Sequence, residues 1–306
     1  MGPTGVGKTE LSIRLAQENQ GEIVSADSRL FYCGMDIGTA KPNQKERKRI
    51  PHHLIDIVNP DQPIDLPHYQ RLVYQVISQI HQRDKLPFLV GGTGQYIWAI
   101  LEGWMPPARY ASNHLREILT HIGEEKGSRH LHRKLTFIDR EAAEKINPNN
   151  LRRIVRAFEV ICISGKIFSE LKNKKPPDYL VKIIGLIRPR SSLYHRIDER
   201  IEKMIQDGFV GEVEILRKQG FSTQLPSMSA IGYKEISQFL ENKISLEEVI
   251  IRMKRATRRF IRHQANWFKE TDERIKWFNI EEGSYEDKIN AFITSENNWL
   301  RIENEK

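Results

Sequence analysis

Hydrophobic and polar positions follow two periods along this chain. Apolar residues recur at helical spacing over residues 65–81, which predicts an amphipathic helix. Short apolar runs at 22–27, 51–58 and 86–90 predict buried strands. Strands that alternate with helices are typical of a parallel α/β sheet, whose ligands bind beyond the carboxyl ends of the strands.

The pattern changes after residue 105. Residues 110–173 have a helical, polar and basic pattern, and strand character returns at 179–187. A long helix is predicted over 191–206, with Arg196 and Arg200 one turn apart on one face. Another helix is predicted over 245–269 and a last strand over 275–278. We interpret the middle of the chain as a helical insertion, after which the sheet resumes.

The chain begins with a phosphate-binding motif. Residues 2–9, GPTGVGKT, fit G-x-x-x-x-G-K-[ST], in which backbone N–H groups surround a phosphate, a lysine supplies charge and a threonine binds Mg²⁺. The helix expected next directs its positive end at the same anion. The motif predicts a polyphosphate site without specifying ATP, and a solvated glycine turn is the alternative. The residues predicted to bind phosphate are Gly2, Pro3, Thr4, Gly5, Val6, Gly7, Lys8 and Thr9.

An aspartate stands at one predicted strand end. P-loop hydrolases usually carry a metal-binding aspartate at the end of a second apolar strand. Strand 86–90 is followed by glycines and Thr93 instead, which weakens an ATPase interpretation. Asp27 ends strand 22–27, where its carboxylate is expected to reach a substrate held by the loop and act as a general base. The alternative is that Asp27 caps a turn.

Composition narrows the class of protein. The 306 residues include 48 Lys and Arg against 40 Asp and Glu, a net charge of +8 that favours a nucleic-acid partner. No run of eighteen apolar residues occurs, so no membrane span is expected. Cys33 and Cys162 are far apart and predict neither a disulfide framework nor a zinc site, which fits a reducing cytoplasm.

Basic residues are concentrated in two helices. No acidic residue occurs over 249–269, and helical spacing aligns Arg252, Arg255, Arg259 and Arg262 in one stripe. Met253, Ala256, Phe260 and Trp267 are predicted to form a packed face of the same helix. Arg152, Arg153 and Arg156 form a second basic set. Both sets suit a folded RNA, although a charged run is commonly only a solvated face.

After the phosphate motif the chain carries, in order, SADSRLFYCGMDIGTAKP, PHHLID, LVGGTGQY, RAFEV, ISGK and LPSMSAIGYKE. Together with GPTGVGKT, these motifs resemble the bacterial tRNA dimethylallyltransferase (tRNA isopentenyltransferase) family over residues 2–277. The block at 27–42 is far more specific than the phosphate motif. The resemblance implies an α/β, P-loop NTPase-like parallel sheet with flanking helices plus a helical insertion domain. The predicted extents are 1–109 and 176–306 for the catalytic core and 110–175 for the insertion.

The resemblance implies transfer of a dimethylallyl group from dimethylallyl diphosphate to N6 of the adenosine immediately 3′ of the anticodon. The target tRNAs are those that read codons starting with U. The P-loop is then expected to hold the donor's diphosphate, and Asp27 to take a proton from the attacking amine. Lys8, Thr9, Mg²⁺ and Arg200 are expected to neutralise the departing diphosphate.

The resemblance also implies an RNA-binding surface. The insertion domain is expected to clasp the anticodon stem-loop, and the target base to leave its stack. A monomer is expected. The residues implied to contact tRNA are Asp27, Ser28, Arg29, Leu30, Thr93, Arg116, Arg152, Arg153, Ile154, Val155, Arg156, Ser229, Ala230, Ile231, Gly232, Tyr233 and Lys234.

Two expectations complete the sequence-based account. The family has an apolar strand before the P-loop, where this sequence has only Met1, so we expect the gene to encode about 5–6 such residues upstream. The first nine residues alone also fit a small-molecule kinase or ATPase, and the basic helices alone fit a non-catalytic RNA-binding protein. Label transfer from dimethylallyl diphosphate to RNA distinguishes these alternatives.

Overall fold

The computed structural model describes residues 1–105, 113–171, 173–296 and 300–301. Its strands are β1 Gly21–Ser25, β2 His52–His53, β3 Leu86–Val90, β4 Trp104–Met105, β5 Asn173–Lys174, β6 Leu180–Val181, β7 Ile183–Ile187, β8 Ile275–Asn279 and β9 Leu300–Arg301. Its helices are α1 Lys8–Glu18, α2 Gln44–Arg49, α3 Leu66–His81, α4 Gly94–Leu101, α5 Asn113–Glu125, α6 Ser128–Ile138, α7 Arg140–Lys145, α8 Leu151–Ser164, α9 Arg190–Gln206, α10 Phe209–Lys218, α11 Tyr233–Leu240, α12 Leu246–Ala265 and α13 Tyr285–Thr294.

Parallel strands form the framework of the site. Strands β2, β1 and β3 lie side by side in that order, all parallel, and β7 is paired in parallel with β8. Beside β7, the Met1 nitrogen donates to Ile184 O (2.6 Å) and Leu186 N donates to Met1 O (3.0 Å), the pattern of a parallel ladder. The predicted α/β fold class is confirmed, and the phosphate motif directly follows this paired residue.

The predicted helices form where their capping residues and apolar spacing coincide. Asp65 accepts a hydrogen bond from His68 N (2.9 Å) and caps α3, which buries Tyr69, Val73 and Ile77 on one face. Ser245 caps α12 in the same way, but α12 ends at Ala265 rather than near residue 269. Across the described residues, no helix is both long and apolar enough to span a membrane.

The strand predicted over residues 51–58 is wrong beyond its first residues. Only His52–His53 pairs with β1. Leu54 (φ 61°) and Asp56 (φ 55°) then adopt the left-handed conformation, which interrupts an extended chain. The Asp56 carboxylate accepts from Lys41 Nζ (2.5 Å) and from Arg47 Nη1 (2.7 Å). These ion pairs fix the bend, and Lys41 links it to the segment 31–42, which is a series of turns.

The strand predicted over residues 179–187 is divided in two. Strand β6 pairs antiparallel with β9, and β7 pairs in parallel with β8. Lys182 stands between β6 and β7, and its ammonium donates to the carbonyl oxygens of Phe292 (2.6 Å), Ile293 (3.0 Å) and Ser295 (2.5 Å). The break therefore directs one lysine to the carbonyls at the end of α13.

Two compact units make up the chain. Unit 1 comprises Met1–Leu101 and Asp178–Ile302, and unit 2 includes Glu102–Pro177. In unit 2, helices α5 to α8 pack around a core that includes Leu131, Leu135 and Ile154, and β4 pairs antiparallel with β5. The predicted insertion domain starts at residue 110, which lies outside the described residues, so its extents stay a prediction.

Candidate active site

The phosphate motif forms a tight loop before α1. Gly5 has a φ of +81°, and a Cβ there would lie 2.9 Å from Cγ1 of Ile197 on α9. Only glycine combines this backbone conformation with such close packing. Arg196, on the same helix, donates to Gly5 O (3.3 Å). The loop is therefore held against α9, and its following N–H groups belong to the first turn of α1, which has no intrahelical acceptors for them.

The Lys8 ammonium folds back over its own loop. Nζ donates to Gly2 O (2.9 Å) and Pro3 O (2.8 Å). Burial lowers the Lys8 pKa to about 8; Asp27 opposes this shift and Arg200 adds to it. An ammonium has three donors, so one hydrogen remains for an anion. Lys8 is thus a half-buried cation whose charge a bound phosphate would stabilise.

Asp27 lies two residues beyond the end of β1 and makes a local hydrogen bond. Its Oδ1 accepts from Arg29 N (3.0 Å), so one carboxylate oxygen caps the turn, as the alternative interpretation expects. The carboxylate also acts on the two cations of the site, since it opposes the burial-induced lowering of the pKa of both Lys8 and Arg200. One oxygen can stabilise the turn while the other accepts a proton, so the two roles are compatible.

Arg29 connects two of the predicted tRNA-binding stretches. Its guanidinium donates to Pro226 O (2.8 Å), Ser227 O (3.2 Å) and Ser229 Oγ (3.1 Å). The short helical turn Ser227–Ser229 is also held by Ser227 Oγ, which donates to Pro60 O (2.6 Å). Residues 27–30 and 229–234 are therefore brought together, although the Arg29 side chain is engaged within the protein.

A cavity of about 380 Å³ lies in unit 1 between these segments. Polar groups line one part of it, and α9 and α12 supply most of an apolar part. The polar lining residues are Thr4, Asp27, Ser28, Arg29, Thr39, Thr93, Gln95, Arg200, Ser229, Thr257, His263 and Gln264. The apolar ones are Ile197, Ile201, Met204, Ala230, Ile231, Met253, Phe260 and Trp267. The cavity thus joins Thr4 of the P-loop, the Arg200 cation, a carboxylate and an apolar wall, whereas Lys8 and Thr9 are not among its lining residues.

Arg200 contributes a cation with no side-chain hydrogen bond to the described residues. Burial lowers its pKa, and Asp27 opposes that shift. On α9 it lies among Ile197, Ile201 and Met204, which are buried and line the same cavity. A half-buried guanidinium in this setting needs an anionic partner, because burying an unpaired charge is costly. Its position supports the predicted role at a diphosphate.

Other predicted tRNA contacts lie in unit 2. Arg152 and Arg153 are exposed. Ile154 and Val155 are buried in the core of unit 2, which corrects the prediction that these two side chains contact tRNA. Arg116 Nη2 (2.7 Å) and Arg156 Nη1 (2.9 Å) both donate to the fully buried carboxylate of Glu159. Any contact of α8 with RNA therefore depends on its arginines. Arg152 and Arg153 are exposed, and Arg156 is anchored by Glu159.

The stretch 229–234 divides between the cavity and the core. Ser229, Ala230 and Ile231 line the cavity, and Lys234 is exposed. Tyr233 is fully buried, and its hydroxyl donates to Glu212 Oε1 (2.7 Å). Burial and the Glu212 carboxylate raise the Tyr233 pKa. The prediction that the Tyr233 side chain contacts tRNA is therefore corrected, because this side chain is buried in the core and bonded to Glu212.

Glu212 is a supporting residue that sequence reasoning missed. Its carboxylate accepts from three consecutive backbone nitrogens, Asp36 N (2.9 Å), Ile37 N (2.6 Å) and Gly38 N (3.2 Å), besides Tyr233. Gly38 and the next residue line the cavity. Because the two partner segments are far apart in sequence, no local pattern predicted this carboxylate.

The predicted arginine stripe of α12 is only partly available. Arg252 pairs with Glu248 (2.7 Å), and the neighbouring Lys254 and Arg258 pair with Glu202 and Asp198 of α9. The exposed arginines without an ion pair to described residues are Arg255, Arg259 and Arg262. The predicted packed face is wrong at Phe260 (42% exposed) and Trp267 (36% exposed), which line the cavity instead.

Fold and site together define a P-loop-like α/β protein whose cavity places a cation and a carboxylate beside an apolar wall. The chain belongs to the IPP transferase family, whose model matches residues 30–271. The phosphate motif and Asp27 precede the matched range, so their role rests on the geometry above. Membership of this family does not support the alternatives of a small-molecule kinase, an ATPase or a non-catalytic RNA-binding protein.

Relatives agree with the family assignment. The chain is 49% identical over 269 residues to the tRNA dimethylallyltransferase of Roseiflexus sp. (strain RS-1), covering 88% of each chain. It is 46% identical over 275 residues to that of Herpetosiphon aurantiacus, covering 90% of this chain and 87% of the relative.

Solved structures agree as well. The tRNA isopentenylpyrophosphate transferase of Bacillus halodurans superposes with a TM-score of 0.70 at 38% identity, covering 95% of this chain and 93% of its own. A eukaryotic dimethylallyltransferase acting on tRNA superposes with a TM-score of 0.79 at 28% identity, covering 96% and 78%.

Proposed function

We propose that this protein transfers the dimethylallyl group of dimethylallyl diphosphate to N6 of the adenosine immediately 3′ of the anticodon in tRNA. The cavity of unit 1 carries the proposal, because Thr4 of the P-loop, a half-buried arginine, a carboxylate and an apolar wall share it. Its volume of about 380 Å³ is within the usual range of small-molecule sites. Family membership supports the same activity.

The donor's two halves have separate partners. Backbone N–H groups of the P-loop, the Lys8 ammonium and the Arg200 guanidinium suit the diphosphate. Ile197, Ile201 and Met204 on one face of α9 suit the apolar five-carbon group, which has no hydrogen-bonding atoms to satisfy. A nucleoside triphosphate would present a polar sugar to this wall, which favours the prenyl donor over ATP.

The ligand groups available at the P-loop also fit Mg²⁺. Mg²⁺ keeps several waters and is commonly held by one or two protein ligands together with substrate phosphates. Among the described residues no three His, Cys, Asp or Glu side chains form a metal cluster. The Thr9 hydroxyl, in the first turn of α1, is the residue proposed to hold the ion beside the diphosphate. When bound, Mg²⁺ would help to neutralise the leaving group.

In the proposed reaction N6 of the adenine attacks the allylic carbon of the donor. The new N–C bond forms as the C–O bond to the diphosphate breaks, and Asp27 accepts the proton that N6 loses. Lys8 and Arg200 stabilise the negative charge that develops on the diphosphate. The apolar wall excludes water from the allylic carbon, which limits hydrolysis of the donor.

We propose that tRNA supplies the acceptor through exposed cations and the mouth of the cavity. Arg255, Arg259 and Arg262 on α12, with Arg152 and Arg153 on α8, suit phosphate contacts. Phe260 and Trp267 offer partly exposed aromatic surface at the cavity, where unstacked bases can bind. Thr93 lines the same cavity, in accord with its predicted role near the target base.

Pyrophosphate and phosphate release test the proposal. The protein is incubated with Mg²⁺, dimethylallyl diphosphate and an anticodon stem-loop RNA, and in parallel with ATP. We expect pyrophosphate release only when both the prenyl donor and the RNA are present, and no phosphate release from ATP. The matched control RNA carries guanosine in place of the target adenosine and should give no pyrophosphate. Rapid ATP turnover without a prenyl donor would contradict the proposal.

A further inference from the structure

Gln264 on α12 joins the two loops that line the polar part of the cavity. Its Oε1 accepts from Thr4 N in the P-loop (2.9 Å), and its Nε2 donates to Gly92 O in the loop after β3 (2.9 Å). The side chain is 4% exposed. Because one partner is a donor and the other an acceptor, the orientation of the amide is determined by its neighbours.

The loop after β3 approaches this amide as closely as glycine permits. A Cβ on Gly92 would lie 2.4 Å from Gln264 Nε2 and 3.5 Å from Lys8 Nζ. Gly92 does not adopt a positive φ, so its backbone conformation alone would accept alanine. The restriction comes from packing against Gln264, which makes the spacing of the two loops depend on this one side chain.

Gln264 has no role in the chemistry proposed above, since it carries no charge and titrates no proton. Its hydrogen bonds are nevertheless with backbone groups of the loop that carries Lys8 and of Gly92, where a Cβ would lie 3.5 Å from Lys8 Nζ. We propose that Gln264 is a positioning residue that holds the P-loop at the separation from Gly92 at which Lys8 and the backbone N–H groups bind a diphosphate. The identity of the diphosphate as a prenyl donor rests on the proposed function.

The test measures binding of inorganic pyrophosphate with Mg²⁺ by calorimetry. Gln264→Met keeps the length and volume of the side chain and removes both hydrogen bonds. We expect affinity for pyrophosphate to fall roughly 10- to 100-fold, the effect of losing one or two such bonds. In transfer assays the KM for the donor should rise while the KM for tRNA stays unchanged.

Gln70 provides a matched control. It is also a buried glutamine of unit 1, and its Nε2 donates to Ala99 O (2.9 Å), but it does not line the cavity. We expect Gln70→Met to lower the melting temperature by about as much as Gln264→Met and to leave pyrophosphate affinity unchanged. A purely structural role for Gln264 predicts equal melting-temperature losses and no difference in affinity.

Gly92→Ala displaces the same amide without changing Gln264. We expect it to weaken pyrophosphate binding in the natural chain and to add little in the Gln264→Met background, because the two changes disturb one contact. Additive losses, or a Gln264→Met variant that binds pyrophosphate like the natural chain, would overturn the inference. Absence of pyrophosphate binding by the natural chain would overturn it too. If pyrophosphate binding depends on Gln264 but no group reaches RNA, the proposed function fails and the inference stands.

Discussion

The two units differ in how their functional residues are held. In unit 1 the site consists of backbone turns and half-buried groups, such as Lys8 and Arg200, packed against neighbours at close range. In unit 2 the candidate residues are arginines on helix surfaces, such as Arg152 and Arg153. Residues 102–177 hold 15 Lys and Arg against 9 Asp and Glu, whereas the rest of the chain holds 33 against 31.

This difference has a physical consequence. A close-packed site recognises a small ligand by shape, so a change of one atom or one bond alters its chemistry. An exposed basic surface recognises RNA through many phosphate contacts, each of which is weak and reduced by salt. We therefore expect changes in the close-packed site of unit 1 to act on the chemical step or the donor, and changes on the basic surfaces of either unit to act on RNA affinity and its salt dependence.

The largest effect is expected at Asp27. Asp27→Asn keeps an oxygen that can accept from Arg29 N, so the turn should survive, but it removes the proton acceptor. Loss of a general base typically lowers kcat about 10²- to 10⁴-fold. Asp65→Asn, which changes the cap of α3 outside the cavity, is the control and should leave kcat unchanged. A near-normal kcat for Asp27→Asn, measured with saturating substrates, would show that Asp27 only caps the turn and is not the general base.

Glu159 tests whether the two arginines that it anchors in unit 2, Arg116 and Arg156, take part in RNA binding. Glu159→Gln leaves Arg116 and Arg156 without the carboxylate that accepts from both. We expect the free energy of unfolding to fall by about 1–3 kcal/mol, the cost of weakening charge-assisted hydrogen bonds in a buried place. Denaturant unfolding measures this, and tRNA affinity should fall with kcat unchanged. An RNA affinity equal to that of the natural chain would show that these two arginines do not bind RNA.

The free arginines of α12 should control the salt dependence. Arg255→Ala with Arg259→Ala removes two cations that lack ion pairs to described residues. We expect RNA affinity to fall about tenfold and the slope of log K against log salt to decrease by about 2. Lys254→Ala with Arg258→Ala is the matched control, since both residues are already paired with acids of α9. Equal slopes in the two double variants would contradict the assignment of this face to RNA.

The smallest predicted effect is a pH dependence from Lys8. Its pKa of about 8 means that the ammonium is charged below this pH and becomes neutral as the pH rises through it. We therefore expect kcat/KM for the donor to be constant from neutral pH to about pH 8 and to fall up to tenfold per unit above it. Lys8→Arg, which stays charged, should remove this decline. The dependence on RNA concentration should not follow the same profile.

Much of the fold could be predicted because its signals are local. The helix expected after the phosphate motif and the capped, periodic helix α3 are each predicted from a short stretch, and both form. The strand over residues 51–58 was wrong because its interruption depends on Lys41 and Arg47, which bind Asp56 from elsewhere in the chain. A run of apolar residues carries no information about such partners.

The candidate site was less predictable than the fold. Residues identified by motif, such as Asp27 and Thr93, line one cavity, but Glu212 and Gln264 support it through backbone groups distant in sequence. Their residue types are common and their spacing has no pattern, so only the folded chain identifies them. Helical spacing likewise placed Phe260 on a packed face, although this side chain is partly exposed and lines the cavity. Spacing alone does not show which part of a helix face the neighbouring elements cover.

Nucleoside analysis of the RNA product tests the central claim most directly. An anticodon stem-loop RNA is incubated with the protein, Mg²⁺ and dimethylallyl diphosphate, digested to nucleosides and analysed by mass spectrometry. We expect N6-isopentenyladenosine from the RNA with adenosine 3′ of the anticodon, none from the guanosine control, and a strongly reduced amount with Asp27→Asn. Unmodified adenosine in every RNA, from protein that binds both the RNA and pyrophosphate, would contradict the account.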